Sequence, residues 1–178
     1  IQTTLALLIT STFHVHATPV YIAAGTSHTD IGQPDDIMSN KDDYRHGYRY
    51  ELTGGLQLRP NISIDGNIYF SPPTQDEDRP EINGVRAAGV YFFRESFLLR
   101  PFLSAGLAYE SLSESSNDFT LPSHVTLLSL GAGLQYDFTS QLFGRAEIRR
   151  GESIGDELRR TDYQVSIGYR FGAHSPTF

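Results

Sequence analysis

The sequence predicts an all-β fold in which eight antiparallel strands run up and down around a closed barrel, and three observations support it. Apolar and polar residues alternate with a period of two in eight segments, as in strands with one apolar and one polar face. Short and long connections alternate in strict rotation. The composition, with 16 Gly, 10 Tyr and 11 Phe in 178 residues, favours strands over long helices within one domain.

The first four predicted strands are Pro19–His28, Tyr48–Leu58, Ile62–Phe70 and Gly84–Phe93. The first leaves the facing of its side chains open. In the other three, bulky apolar residues occupy one face and mostly polar or small residues the other. The apolar faces include Tyr48, Tyr50, Leu52, Leu56, Ile64, Ile68, Val85 and Tyr91, and the opposite faces include Arg49, Glu51, Ser63, Asp65, Asn67, Tyr69 and Arg86.

The last four predicted strands are Leu99–Glu110, Leu127–Phe138, Leu142–Arg150 and Tyr163–Phe171. Pro101 lies near the start of its strand, where a missing N–H is tolerated. The eighth strand alternates most regularly, and its apolar face consists of Tyr163, Val165, Ile167, Tyr169 and Phe171.

The connections indicate a meander with every short turn at one end. The short turns are Arg59–Asn61, Arg94–Ser96 and Thr139–Gln141, and the longer polar loops are Thr29–Gly47, Ser71–Ile82, Leu112–Ser123 and Gly151–Arg160. An even number of strands places both chain termini at the short-turn end, as in bacterial membrane barrels.

Charge and volume indicate which face of the barrel is inside. The polar faces carry five acids and five bases: Glu51, Asp65, Arg86, Arg100, Glu110, Asp137, Arg145, Glu147, Arg149 and Arg170. The lumen of an eight-stranded barrel is just wide enough to be filled by side chains. Aromatic residues from every strand would overfill it, whereas small residues and paired charges fit. The ten charged residues are therefore predicted to form a charge network in the lumen.

The apolar faces are then predicted to contact lipid. Aromatic residues lie at the strand ends, as in the interfacial girdles of membrane barrels: Tyr48, Tyr50, Phe70, Tyr91, Phe93, Tyr109, Tyr136, Phe138, Tyr169 and Phe171. The alternative is a soluble barrel of the lipocalin type, with the apolar face inside. The predicted fold is an eight-stranded antiparallel up-and-down transmembrane β-barrel.

The N-terminal residues predict a secretory signal peptide over residues 1–17. An apolar run, Leu5–Ile9, is followed by small residues at Val15–Ala17, spaced as a signal peptidase requires. The chain begins with Ile1 and has no basic residue before the apolar run, so we expect its true start to lie upstream. The alternative is a buried N-terminal strand or helix. The barrel is expected to span residues 18–171, followed by a short tail, 172–178.

Four segments resemble strands of a known family. "RPFLSAGLAY", "LGAGLQYDFT", "LFGRAEIRR" and "DYQVSIGYRFG" are similar to the fifth to eighth strands of the OmpA-like outer-membrane barrels. The resemblance implies a monomer in a Gram-negative outer membrane, surrounded by lipids and lipopolysaccharide. It also implies that the barrel-assembly machinery reads the last strand, Tyr163–Phe171. Because the sequence ends at Phe178, we expect the peptidoglycan-binding domain of full-length OmpA to be absent.

Few residues point to chemistry. A net charge of −7 argues against nucleic acid, and the absence of Cys excludes thiol chemistry. His28, His46 and His124 are predicted to be solvated rim residues. Ser123, His124 and Thr126 match the Ser–His requirement of an outer-membrane lipid A deacylase poorly, because adjacent residues face opposite sides of a strand. The acidic loops, Gln33–Asp43 and Thr74–Glu81, lack calcium-loop spacing and are expected to be solvated loop tips; the alternative is a divalent cation that bridges their carboxylates to lipopolysaccharide phosphates. We therefore predict no catalytic, cofactor or metal-binding residues.

The expected function is non-enzymatic: envelope integrity, and surface interaction through four exposed loops. The amino-acid composition of these loops does not identify what they bind. One alternative is a narrow pore for ions or very small solutes, lined by the lumen charges. Another is an enzyme that modifies lipid A.

Overall fold

A computed structural model of the protein describes residues 19–32, 45–72, 81–93, 98–113, 124–155 and 158–172. Outside these residues lie the predicted signal peptide, the whole of the Gln33–Asp43 loop, most of the Thr74–Glu81 loop, the Arg94–Ser96 turn, Ser123 and most of the C-terminal tail. Within them, no helix is long and apolar enough to cross a membrane.

Eight strands form one closed antiparallel barrel, so the predicted fold is confirmed. Each strand pairs with its neighbours in sequence, and β1 closes the barrel against β8. The strands are β1 (Val20–Gly32), β2 (Arg45–Arg59), β3 (Ile62–Phe70), β4 (Glu81–Phe92), β5 (Leu99–Ser113), β6 (His124–Asp137), β7 (Leu142–Ser153) and β8 (Arg159–Phe171). Closure leaves no sheet edge, which a bilayer requires because no water is available there to satisfy backbone groups.

Most strands extend further at the long-loop end than the sequence predicted. β3 has the predicted bounds, whereas β2 begins at Arg45 rather than Tyr48 and β8 at Arg159 rather than Tyr163. The outward residues added there are polar, whereas the inward ones include the buried Ile31, Ile82, Leu112 and Val125, so the outward apolar alternation stops before the backbone pairing does. At the short-turn end, Phe93 and Phe138 lie just beyond β4 and β6.

The apolar faces point outward, as predicted. Leu130, Val165 and Ile68 are 60%, 59% and 58% exposed although they lie within strands. The facing of β1, which the sequence left open, is now assigned: Tyr21 and Ala23 are buried inside, and Ile22 is exposed outside.

Large aromatic rings enter the interior beside the small residues and paired charges that were expected there. The buried aromatic side chains are Tyr21, Tyr69, Phe92, Phe102 and Phe143. Glycines on neighbouring strands make the room: a Cβ at Gly55 would overlap the ring of Tyr21, and a Cβ at Gly168 the ring of Phe143. These glycines are the reason that the lumen holds five rings together with its ion pairs.

Candidate functional site

The interior of the barrel is the most distinctive site, and its charges form three layers along the barrel axis. The layer nearest the long loops, called the outer cluster, contains Arg49, Tyr69, Glu110, Arg160 and Asp162. Arg49 and Arg160 both contact one carboxylate oxygen of Asp162, with Nη2 at 2.8 Å and Nε at 3.0 Å. Glu110 forms an ion pair with Arg160 and accepts a hydrogen bond from the Tyr69 hydroxyl. Two bases and two acids neutralise each other here.

The second layer, called the middle cluster, contains Glu51, Arg86, Glu147 and Arg149. Nη2 of Arg149 lies 2.7 Å from Oε2 of Glu51, and Nη2 of Arg86 lies 3.8 Å from Oε1 of Glu147. Neutral side chains complete the hydrogen bonding: Asn67 donates to Glu51 at 2.7 Å, Ser104 to Glu147 at 2.5 Å, and Arg149 to Gln164 at 2.6 Å. Each carboxylate therefore has both a cation and a neutral donor.

The third layer, called the inner cluster, lies nearest the short turns and contains Asp65, Arg100, Asp137, Arg145 and Arg170. Nη1 of Arg145 lies 2.7 Å from Oδ2 of Asp65, and Nη2 of Arg170 lies 2.6 Å from Oδ1 of Asp137. Nη1 of Arg100 lies 3.8 Å from Oδ2 of Asp137. This layer joins the ion pairs to the aromatic part of the interior.

Four rings surround the guanidinium group of Arg145. Its Cζ lies 5.1 to 5.7 Å from the ring centroids of Tyr21, Phe92, Phe102 and Phe143, within the range of cation–π attraction. The cavity beside this cage has a volume of about 10 Å³, room for about one water molecule. Rings and ion pairs together therefore fill the short-turn end of the lumen.

All ten residues assigned to the lumen from the sequence point into the barrel; Asp137, 18% exposed, is the most open of their side chains. The sequence reasoning missed Arg49, Arg160 and Asp162. Arg49 was on the polar face but was not counted, and the other two precede the predicted start of the eighth strand. The period-two alternation of β8 could have identified Arg160 and Asp162. Both are an even number of residues from Arg170, so their side chains lie on the same, inward face.

The remaining predicted residues lie on the outer wall. Tyr163, Val165, Ile167, Tyr169 and Phe171 form the exposed face of β8. His124 stacks on Tyr109, with ring centroids 5.8 Å apart, and among the described residues no serine hydroxyl hydrogen-bonds to it. His28 and His46, predicted to be solvated rim residues, lie together with Asp30.

Aromatic residues border the apolar band of the wall at both ends. At the short-turn end, paired rings at the ends of β4, β6 and β8 lie 5.0 to 5.5 Å apart: Tyr91–Phe93, Tyr136–Phe138 and Tyr169–Phe171. Tyr48, Tyr109 and Tyr163 are exposed at the other end. A closed barrel with an apolar outer surface, two aromatic girdles and an interior of ion pairs is an integral membrane β-barrel.

Comparison with known proteins agrees with this class. Residues 3–171 match the family model described as "Outer membrane protein beta-barrel domain", so the chain belongs to that family of outer-membrane proteins. The resemblance to OmpA-like barrels and the outer-membrane location predicted from it are confirmed.

Three similar proteins are distant in sequence. "Outer membrane porin F" of Pseudomonas aeruginosa is 27% identical over 144 residues, which cover 76% of this chain and 40% of that protein. The crystal structure of the N-terminal barrel domain of Pseudomonas aeruginosa OprF has a TM-score of 0.64 at 19% identity, over 86% of this chain and 98% of that one. The crystal structure of Neisserial surface protein A has a TM-score of 0.63 at 16% identity, over 85% of this chain and 97% of that one. At this identity, the two structures show the shared fold alone.

Proposed function

We propose that this protein is a non-enzymatic, monomeric barrel that supports the integrity of the outer membrane and presents its extracellular loops to partners outside the cell. The observation that carries the proposal is the filled lumen. Arg145 occupies a cage of four rings beside a cavity of about 10 Å³, and two further layers of ion pairs lie above it. A barrel with a filled lumen and an apolar outer surface keeps the membrane that it spans sealed.

Ion pairing explains why the lumen would stay closed. A hydrated ion that passed along the axis would have to separate pairs such as Arg145–Asp65 and Arg149–Glu51. Leaving one partner of a buried pair without the other costs about 3–5 kcal/mol. The same polar lining is what favours the second candidate function, a narrow pore for ions, because rearranged pairs would leave a polar path.

The outer surface supports the proposed partners. The exposed apolar band is suited to lipid, and the rim beyond it carries ionic side chains, Arg150, Glu152 and Arg159, which suit lipopolysaccharide head groups. The alternating face of β8, Tyr163 to Phe171, remains the proposed signal for the barrel-assembly machinery. The binding partners of the loops are proposed only as a class, extracellular molecules.

Planar-bilayer recording tests whether the lumen is closed. We expect the refolded wild-type protein to give no steady single-channel steps, while a large general porin recorded in the same membranes does. Arg150→Ala, on the outer wall, is the matched control and should behave as wild type. Steady wild-type steps that disappear in Arg86→Ala or Arg145→Ala and persist in Arg150→Ala would establish the pore instead.

A further inference from the structure

His28, Asp30 and His46 form a compact group on the outer wall, at the long-loop end of β1 and β2. His28 and Asp30 are two residues apart in β1, so both side chains leave the same face of the strand. His46 of β2 is directly opposite Asp30 in the strand pairing. Two histidines 18 positions apart in sequence are thereby brought to one carboxylate.

The potential ligand atoms of the group converge. Nε2 of His28 lies 3.0 Å and Nδ1 of His46 lies 2.6 Å from the same oxygen, Oδ1 of Asp30. One potential ligand atom from each of the three residues lies within 4.8 Å of the other two. Ligands about 2.0–2.1 Å from a tetrahedral metal ion are separated by about 3.3 Å. Small side-chain rotations would therefore convert the hydrogen-bonded arrangement into a coordination shell.

Neighbouring rings hold the group in place and leave it open to solvent. The imidazoles of His28 and His46 stack at 5.5 Å with an angle of 18° between their planes, and the Tyr48 ring lies 4.9 Å from that of His28. The side chains of His28, Asp30 and His46 are 34%, 27% and 60% exposed. Because the rings are already packed, the ligand side chains lose little conformational entropy when an ion binds. Their exposure lets a hydrated ion reach them.

We propose that His28, Asp30 and His46 bind one divalent transition-metal ion of the zinc type on the outside of the barrel. Two imidazoles and one carboxylate are the ligands preferred by Zn²⁺ and its neighbours, whereas Ca²⁺ and Mg²⁺ require mainly oxygen. Three protein ligands leave a fourth position for water or an anionic oxygen. The bound ion would cross-link β1 to β2 above the aromatic girdle.

Calorimetric titration of the tag-free, refolded protein with Zn²⁺ tests the proposal. We expect one equivalent to bind, with Ca²⁺ in large excess unable to compete. His28→Ala and His46→Ala should each weaken binding by more than about tenfold, since changing even an outer-shell partner costs about 10–100-fold in metal affinity. Asp30→Asn, nearly the same shape, should also weaken binding, with the heat-modifiable gel mobility of the folded barrel unchanged.

His124→Ala is the matched control, because His124 is also an outward rim histidine but lies on β6, stacked on Tyr109. It should keep wild-type affinity. The proposal is overturned if no Zn²⁺ binds, if the folded His28 and His46 variants bind as wild type does, or if His124→Ala loses as much affinity as they do.

Discussion

Glu110→Ala is expected to lower the free energy of unfolding of the barrel by about 3–5 kcal/mol, the usual cost of removing one partner of a buried ion pair. Glu110 is 1% exposed, pairs with Arg160 and accepts a hydrogen bond from Tyr69. Without it, Asp162 alone would balance both Arg49 and Arg160. Equilibrium unfolding in denaturant, with the protein in lipid vesicles and folding followed by gel mobility, measures the change.

Glu152→Ala is the matched control for Glu110. Glu152 also forms ion pairs with arginines, Arg150 and Arg159, but its side chain is 59% exposed. Exposed pairs contribute about 0–1 kcal/mol, so this variant should unfold close to wild type. Equal losses in the two variants would contradict the account, because they would mean that the lumen is as well solvated as the rim.

Val165→Arg is expected to destabilise the folded barrel by up to about 2–4 kcal/mol, the cost of a basic side chain on the lipid face at the bilayer midplane. Val165 is 59% exposed on the outer wall and lies between Tyr163 and Tyr169, which belong to opposite girdles. The same denaturant titration in vesicles measures the change. In a soluble barrel this exposed position would accept Arg with little effect.

The control for Val165 introduces the same residue outside the apolar band. His124 is exposed at the first position of β6, so His124→Arg should change stability by about 0–1 kcal/mol, the value near the interface. A Val165→Arg variant as stable as His124→Arg would contradict the assignment of the outer wall to lipid.

The fold could be predicted because every strand that crosses the lipid must alternate apolar residues outside with polar or small residues inside. Both ends of β3, Ile62 and Phe70, were predicted correctly, since apolar residues alternate along the whole length of this strand. The starts of β2 and β8 were misplaced because their first residues, Arg45–Gly47 and Arg159–Asp162, carry no apolar side chain on either face, so the alternation gives no information there. Arg160 and Asp162 were missed for that reason.

The packing of the interior and the rim depends on strand register, which the sequence leaves undetermined. Phe143 fits inside because Gly168 is its partner on β8, and a period-two pattern does not specify that pairing. In the same way, His46 reaches Asp30 only through the register of β1 with β2. Each histidine by itself gives no sign of the group.

The facing of the wall can be tested at two adjacent positions of β5, since the protein contains no Trp. Leu103 is 49% exposed outside and Phe102 is 1% exposed inside, so Leu103→Trp and Phe102→Trp each introduce one reporter on a single face. In vesicles of lipids brominated on their acyl chains, we expect strong fluorescence quenching of the Leu103→Trp protein and little of the Phe102→Trp protein, both folded by gel mobility. Strong quenching from the inner position with little from the outer one would mean that the apolar faces of this barrel do not contact lipid.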